Sequence, residues 1–243
     1  MQGEEHAGTH AADQRDAVSQ AAEELAALGI DAAILGVLQH APGAARLIVY
    51  QPGDSLYQEG AEIGALYVIR RGRIKLLSYL PDGRARIVRL HKRGAMIGLN
   101  GLLGEAHEHT AIAVDQVEVY QIPLNLLRPL KQQDPVAYSQ LLEQWHGYLN
   151  TADTWITEFS TGPIRGRVAR LLLFLIDLDE DSGPRELTLL SCEEMAEVLG
   201  VTPESVSRVL AEFKRSGILV AVGEGAAERY RCELSALSSE AHD

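Results

Sequence analysis

Glu204, Ser205, Ser207, Arg208 and Lys214 fall within thirteen residues, Thr202–Lys214, and their types suit the reading of base edges. A guanidinium can donate twice to guanine O6 and N7, a carboxylate can accept from cytosine N4, and a hydroxyl can do either. Val206, Val209, Leu210 and Phe213 lie between them at steps of three or four, the spacing of an inward-facing helical stripe. One helix would bury the second set and present the first. Thr202 is the expected N-cap, and Pro203 occupies a first position where its missing N–H costs nothing. The chemistry this set could do is recognition.

The elements that must hold that helix can be read outward from it. Ser191 and Glu194 form a capping box; Met195, Val198 and Leu199 make an apolar face; Gly200 ends the helix. Two short helices across a glycine turn describe a helix-turn-helix, whose second helix can enter a major groove. The plain alternative is a helical hairpin in the core of an enzyme. Downstream, ILVAV, the turn Gly223-Glu224-Gly225 and RYRC read as a β-hairpin wing that would touch the DNA backbone. Glu233–Leu237 reads as a short tail helix. Upstream lie the short strand ELTLL and the apolar helix Ile164–Leu178, which carries Arg165, Arg167 and Arg170 on its first turns.

Thr161, Gly162 and Pro163 break the preceding helix and form a candidate hinge. Before them, Tyr138, Trp145, Ala152 and Phe159 recur every seven residues, with Leu142, Leu149 and Ile156 recurring beside them. That is an a/d seam, and it predicts a dimer interface along a helix from Pro135 to about Ser160. From Ala45 to Ile122 the texture is different. ARLIVY, LYVI, RIKLLSYL, ARIVRL, AIAV and VEVYQI are short β segments between turns, with a hairpin at Asp82-Gly83. Many short strands predict a sandwich or barrel. Glu23–Ala41 predicts one or two short helices interrupted by Gly29 and Gly36, and the polar stretch before it predicts a disordered tail.

Composition narrows the functions. The chain has 243 residues, 46% of them hydrophobic, with a net charge of −12. No apolar run approaches the roughly 20 residues of a membrane span, and the acidic N-terminus has no secretion-signal pattern. Cys192 and Cys232 fit no metal-ligand spacing. A cytoplasmic protein away from the membrane is expected. From Pro163 onward nine Arg and Lys face fifteen Asp and Glu, which argues against indiscriminate nucleic-acid binding. There is no phosphate loop, metal cluster or nucleophile–base set, so an enzyme is not expected.

The order of β-roll, long helix, Gly-Pro break and winged helix-turn-helix resembles the cyclic-AMP receptor protein/fumarate-nitrate reduction regulator (CRP/FNR) superfamily over about Arg46–Cys232. The residues that carry the likeness are GVTPESVSRVLAEFKRSGIL, the break, and the roll glycines Gly53, Gly60, Gly72, Gly83, Gly94 and Gly98. The resemblance implies an α+β fold. It would have a double-stranded β-roll of the cyclic-nucleotide-binding, jelly-roll type, a long dimerisation helix and a winged helix-turn-helix. The implied divisions are a tail at 1–20, the sensor roll with its N-terminal helices at 21–134, dimerisation helix and hinge at 135–162, and the DNA-binding domain at 163–243.

Nucleotide-binding relatives carry Gly-Glu in one roll loop and, ten residues after that Glu, Arg-Ser or Arg-Thr. Here the loop reads Gly98-Leu99-Asn100 and then His109-Thr110, so both anchoring charges are absent and cyclic AMP is not expected. Leu99, Asn100, His109 and Thr110 are the candidate effector-pocket residues. With no Cys before Cys192, the iron–sulfur cluster of oxygen-sensing relatives is excluded. Other relatives sense nitric oxide or carbon monoxide through haem, for which His109 and His146 are the candidate axial ligands. Glu204, Ser207 and Arg208 match the Glu-x-x-Ser-Arg of the fumarate-nitrate branch, and Pro203 replaces the Arg of the cyclic-AMP branch. That implies TTGAT-like half-sites, read by a homodimer on palindromic double-stranded DNA, with RNA polymerase as a further partner. Thr202, Glu204, Ser205, Ser207, Arg208 and Lys214 are the expected DNA-contacting residues. The competing functions are a ligand module that regulates a protein partner and a β-barrel enzyme.

Overall fold

A computed structural model describes residues 20–41, 43–178, 185–222 and 229–242, with backbone alone at 148–154. The expected tail, the wing turn Gly223-Glu224-Gly225 and most of DLDED lie outside these residues. The chain forms two compact units. One comprises the described residues up to Lys75 with His91–Tyr148, and the other Leu76–Leu90 with the described residues from Leu149 on.

The first unit opens with two helices, α1 (20–27) and α2 (Ala32–His40). Gly29, at φ 74°, separates them as expected, whereas Gly36 sits inside α2 and interrupts nothing. Eight strands follow along the chain, β4 and β5 falling mostly in the second unit's Leu76–Leu90: β1 (Arg46–Tyr50), β2 (Ser55–Tyr57), β3 (Ala65–Arg71), β4 (Ile74–Tyr79), β5 (Ala85–His91), β6 (Met96–Ile97), β7 (Thr110–Ala113) and β8 (Val117–Pro123). They pair as two four-stranded sheets, β1-β8-β3-β6 and β2-β7-β4-β5. β2 and β6 are not legible in the sequence, since strands of three and two residues show no alternation. The six roll glycines all take positive φ. At Gly98 (φ 99°) the requirement is also spatial, because a Cβ would stand 2.7 Å from the Ala65 carbonyl.

The sheet β1-β8-β3-β6 is buried on both faces at its centre. Register pairs Leu66 with Ile122 and Val68 with Tyr120, and this face joins Leu25, Ile34, Leu38, Leu127, Leu130, Tyr138 and Leu141 in one core. The alternate residues Tyr67, Ile69, Val117 and Val119 are buried as well. Burial on both faces explains why LYVI reads as an unbroken apolar run. Polar groups hold α1 to the sheet. The Glu24 carboxylate accepts from the Tyr120 hydroxyl at 2.5 Å and from Arg70 Nε at 2.7 Å. Those bonds, Tyr120's first, hold Glu24 below the usual carboxylate range, and burial pushes the Tyr120 hydroxyl up to about 12.

Short helices α3 (Leu130–Gln133) and the start of α4 (Pro135–Ser160) close this unit. Besides Leu76–Leu90 and the later part of α4, the second unit contains α5 (Ile164–Leu178), β9 (Glu186–Thr188), α6 (Cys192–Leu199), α7 (Pro203–Arg215), β10 (Leu219–Val222), β11 (Arg229–Cys232) and α8 (Leu234–His242). Its sheet runs β10-β11-β9. Helix α8 has nine residues, longer than the expected tail helix. Arg165 on α5 holds it, donating to Glu240 at 2.6 Å.

His107 is buried and stacks on Tyr57, with ring centroids 3.4 Å apart, and desolvation lowers its pKa to about 4. The unfolded chain takes up this proton near the ordinary histidine pKa and the folded chain only near 4. Stability is therefore complete above about 6.5 and falls with pH between 6.5 and 4, by at most about 1.4 kcal/mol per pH unit for this proton. Urea titrations across that window should show the loss, and His107→Phe, which keeps an aromatic ring on Tyr57, should flatten it.

Candidate nucleic-acid interface

α6 is capped as its sequence dictates. The Glu194 N–H donates to Ser191 Oγ at 3.1 Å and the Ser191 N–H donates to Glu194 Oε2 at 2.9 Å, so two orphan donors are satisfied reciprocally. Gly200 ends the helix at φ 64°, with its N–H on the Ala196 carbonyl at 2.7 Å. α7 begins at Pro203 as predicted. Thr202 holds the N-cap position but its side chain caps no backbone group, which corrects the expectation. Its hydroxyl instead pairs with Ser205 Oγ at 3.2 Å.

α7 separates its faces cleanly. Val206, Val209, Leu210 and Phe213 are buried, Phe213 fully, while Glu204, Ser207 and Arg208 are exposed and Ser205 is half-buried. The structure thus brings three of the predicted reading residues onto one open face. Bonds from its own backbone N–H and from Thr202 hold the Glu204 carboxyl below the usual range, so it stays an acceptor. Lys214 differs from expectation. Its Nζ donates to the Tyr230 hydroxyl at 2.7 Å, tying the end of α7 to the strand β11 of the wing. Arg229, exposed on β11, and Arg215, exposed at the end of α7, are not singled out by the sequence, where each reads as an ordinary surface charge.

The chain does break at Thr161–Pro163, and the break is tied. Arg170 donates to the carbonyls of Glu158 (2.8 Å), Thr161 (2.6 Å) and Ala241 (2.7 Å). The Thr161 hydroxyl returns to the Thr157 carbonyl at 2.6 Å.

The a/d seam needs correction at both ends. Tyr138 is buried in the first unit's own core, its hydroxyl donating to the Leu102 carbonyl at 2.9 Å, and Leu142 and Trp145 pack beside it. Phe159 is buried against Trp155 and Phe174 in edge-on contacts. A heptad pattern reports an apolar stripe without saying whose surface covers it, and here the chain covers both ends itself. Ile156 is 58% exposed, and the side chains of Leu149 and Ala152 lie outside the described residues.

The expected effector pocket is also rearranged. Leu99 opens a 3-10 turn, Leu99–Leu103, and is 1% exposed within the core, so it lines no open site. Thr110 is buried and its hydroxyl accepts from the Glu59 N–H at 3.1 Å. Asn100 and His109 are half-buried. A cyclic nucleotide needs an acceptor for ribose hydroxyls and a fixed cation for phosphate. A core leucine and a histidine at these places supply neither, so the residues present do not fit that ligand. His146 is exposed on α4. No group of three potential ligand residues that could hold a metal ion occurs among the described residues. Burial pushes the Cys232 thiol up to about 12, and Cys192 is half-buried in the first turn of α6. No described helix is long and apolar enough to cross a membrane.

Comparison with known proteins agrees with this architecture. Residues 47–134 match the cyclic nucleotide-binding domain family and residues 166–228 the Crp-like helix-turn-helix domain family. The transcriptional regulator LdrP of Thermus thermophilus is 30% identical over 190 residues, covering 77% of this chain and 93% of that protein. The fumarate and nitrate reduction regulatory protein of Vibrio cholerae is 29% identical over 177 residues, 72% of this chain and 71% of that one. Among solved structures, a CRP-family transcriptional regulator from Thermus thermophilus superimposes with a TM-score of 0.67 at 27% identity, over 81% of this chain and 97% of that one. FixK2 of Bradyrhizobium japonicum shares the fold, with a TM-score of 0.68 at 24% identity over 80% and 96%.

The Ser191 cap can be tested on its own. Ser191→Ala should lower stability by about 1 kcal/mol in chemical denaturation, because the Glu194 N–H loses its acceptor. With a β-roll that matches the nucleotide-binding family and a capped helix-turn-helix that presents a polar face, the chain belongs to the CRP/FNR superfamily of transcription regulators.

Proposed function

We propose that this chain is a homodimeric, sequence-specific DNA-binding regulator that reads TTGAT-like half-sites through α7. Its effector would act at the β-roll and would be something other than a cyclic nucleotide. The exposure of Glu204, Ser207 and Arg208 together, on a helix whose opposite stripe is buried, carries the DNA reading. The fit of Leu99 into the core carries the negative statement about the effector. A change at the roll would act as a population shift passed through Thr161–Pro163, with RNA polymerase as the downstream partner in the cytoplasm.

The reading is tested by gel shift on TTGAT–N4–ATCAA against a scrambled duplex of equal length. Equal binding to the two would overturn it. Arg208→Ala should remove roughly 1–3 kcal/mol of discrimination per half-site, the value of a bidentate contact to guanine.

The dimer contact proposed here is the central part of α4, with the sequence positions Leu149 and Ala152 and the exposed Ile156. Two helices of this kind would set two reading helices about 34 Å apart on one face of the duplex. Ile156→Lys leaves the single chain's core untouched. Sedimentation should show monomers at micromolar concentration, with full-palindrome binding lost and the unfolding midpoint kept. Dimers that persist in this variant would place the interface elsewhere.

A further inference from the structure

Helix α6 ends in an unusual way. The last carbonyls of a helix have no partners within it, and here two of them are taken by guanidinium groups from distant parts of the chain. Arg86, on β5, donates from Nη2 to the Val198 carbonyl at 3.4 Å. Arg167, on α5, donates to the next carbonyl, Leu199, and through Nε to the Phe159 carbonyl at 2.8 Å. Arg86 also lies against the turn. A Cβ placed on Gly200 would meet its guanidinium, which would have to move aside, while the φ of 64° is what calls for glycine there. Both guanidinia are drawn out of water by burial, and Arg86 also acts against Arg167 as a like charge. The negative end of the α6 dipole, with its open carbonyls, compensates two cations held this close.

The position of this contact matters for function. Gly200, Val201 and Thr202 are the whole connection between α6 and α7. Thr202 gives no side-chain cap to the α7 backbone, so the start of the reading helix draws its placement from the end of α6. That end is held from outside the helix-turn-helix. We propose that Arg86 and Arg167 are positioning residues of the DNA interface. By capping α6 they pre-order the Gly200–Thr202 turn, and α7 then meets the groove without first losing that freedom. Arg86 makes the pose of α7 depend on the β4–β5 hairpin, and Arg167 makes it depend on the end of α4. This rests on the DNA-reading function proposed above.

The test uses the full chain with Arg86→Ala, Arg86→Lys and wild type. Amide hydrogen exchange is measured on the free protein, and fluorescence anisotropy on the TTGAT palindrome over a range of salt. Arg86→Ala should exchange faster at Val201–Glu204, at an unchanged unfolding midpoint. It should bind the duplex about three- to tenfold more weakly, the size expected for ordering one turn on binding. The slope of log affinity against log salt should stay that of wild type, and Arg86→Lys, which can still donate to Val198, should recover most of the loss. Unchanged exchange and affinity would overturn the proposal. So would a flatter salt slope, which would make Arg86 a phosphate contact. Tighter binding would overturn it too, since Arg86 would then hold the helix away from DNA. Exchange needs no DNA, so it decides the positioning claim even where wild type ignores the palindrome, a result that would strike only the half-site assignment.

Discussion

The C-terminal unit depends on one arrangement, the gathering of helix C-termini by arginines at the start of α5. Arg167 takes carbonyls from the ends of α4 and α6. Arg170 takes two from the end of α4 and its break, and one from the end of α8. Arg165 pairs with Glu240 on α8 and Glu212 on α7, with its guanidinium 4.7 Å from the centre of the Phe213 ring. Helix ends carry unsatisfied carbonyls and partial negative charge, and arginine offers five donors in a fixed fork. Two of these forks, Arg167 and Arg170, take carbonyls from the ends of three helices, α4, α6 and α8, while Arg165 ties α7 and α8 through their carboxylates. Gly166, between Arg165 and Arg167, has no room for a Cβ at ease, since one would stand 3.1 Å from the Glu240 carbonyl.

This arrangement bears on what a regulator of this family must do. A helix that reads DNA must be held firmly enough to select bases, yet respond to events elsewhere. Phe159 and Leu199, forty residues apart, share one arginine, Arg167, so the end of α4 and the end of α6 are joined through hydrogen bonds to a single guanidinium. The acidic balance of the C-terminal segment also loses force as an objection. Glu212 and Glu240 are spent on Arg165, and Glu194 on its own cap, which leaves α7 to present a mixed face of Glu204, Ser207 and Arg208.

In the roll, residues 47–134 keep the scaffold of the nucleotide-binding family, with Leu99 and His109 at the loop positions considered for a ligand. The same local loop, opened by Gly98 in a conformation that admits no side chain, now turns Leu99 into the core instead of offering an acceptor. The fold needs the glycine, whatever residue follows it, and a ligand would depend on that following residue. That separation is why a match to the nucleotide-binding family identifies the architecture of residues 47–134 without identifying their ligand.

Local physics was readable in the chain itself. The capping box at Ser191, the left-handed exit at Gly200, Pro203 at the start of α7 and its two faces all follow from residue types within a few positions of each other, and each appears in the structure. The break at Thr161–Pro163 was legible for the same reason, a glycine and a proline side by side. What tertiary structure alone decided is which partner each exposed-looking group would find. The heptad stripe did not say that Tyr138 and Phe159 would be covered by their own chain, nor did a lysine on a polar face announce the Tyr230 hydroxyl. Arg86 and Val198 are 112 residues apart, and no periodicity reaches that far. Sequence determined the elements, because their energetics are set by near neighbours; only folding determined the junctions, because those depend on which distant surfaces exclude water together.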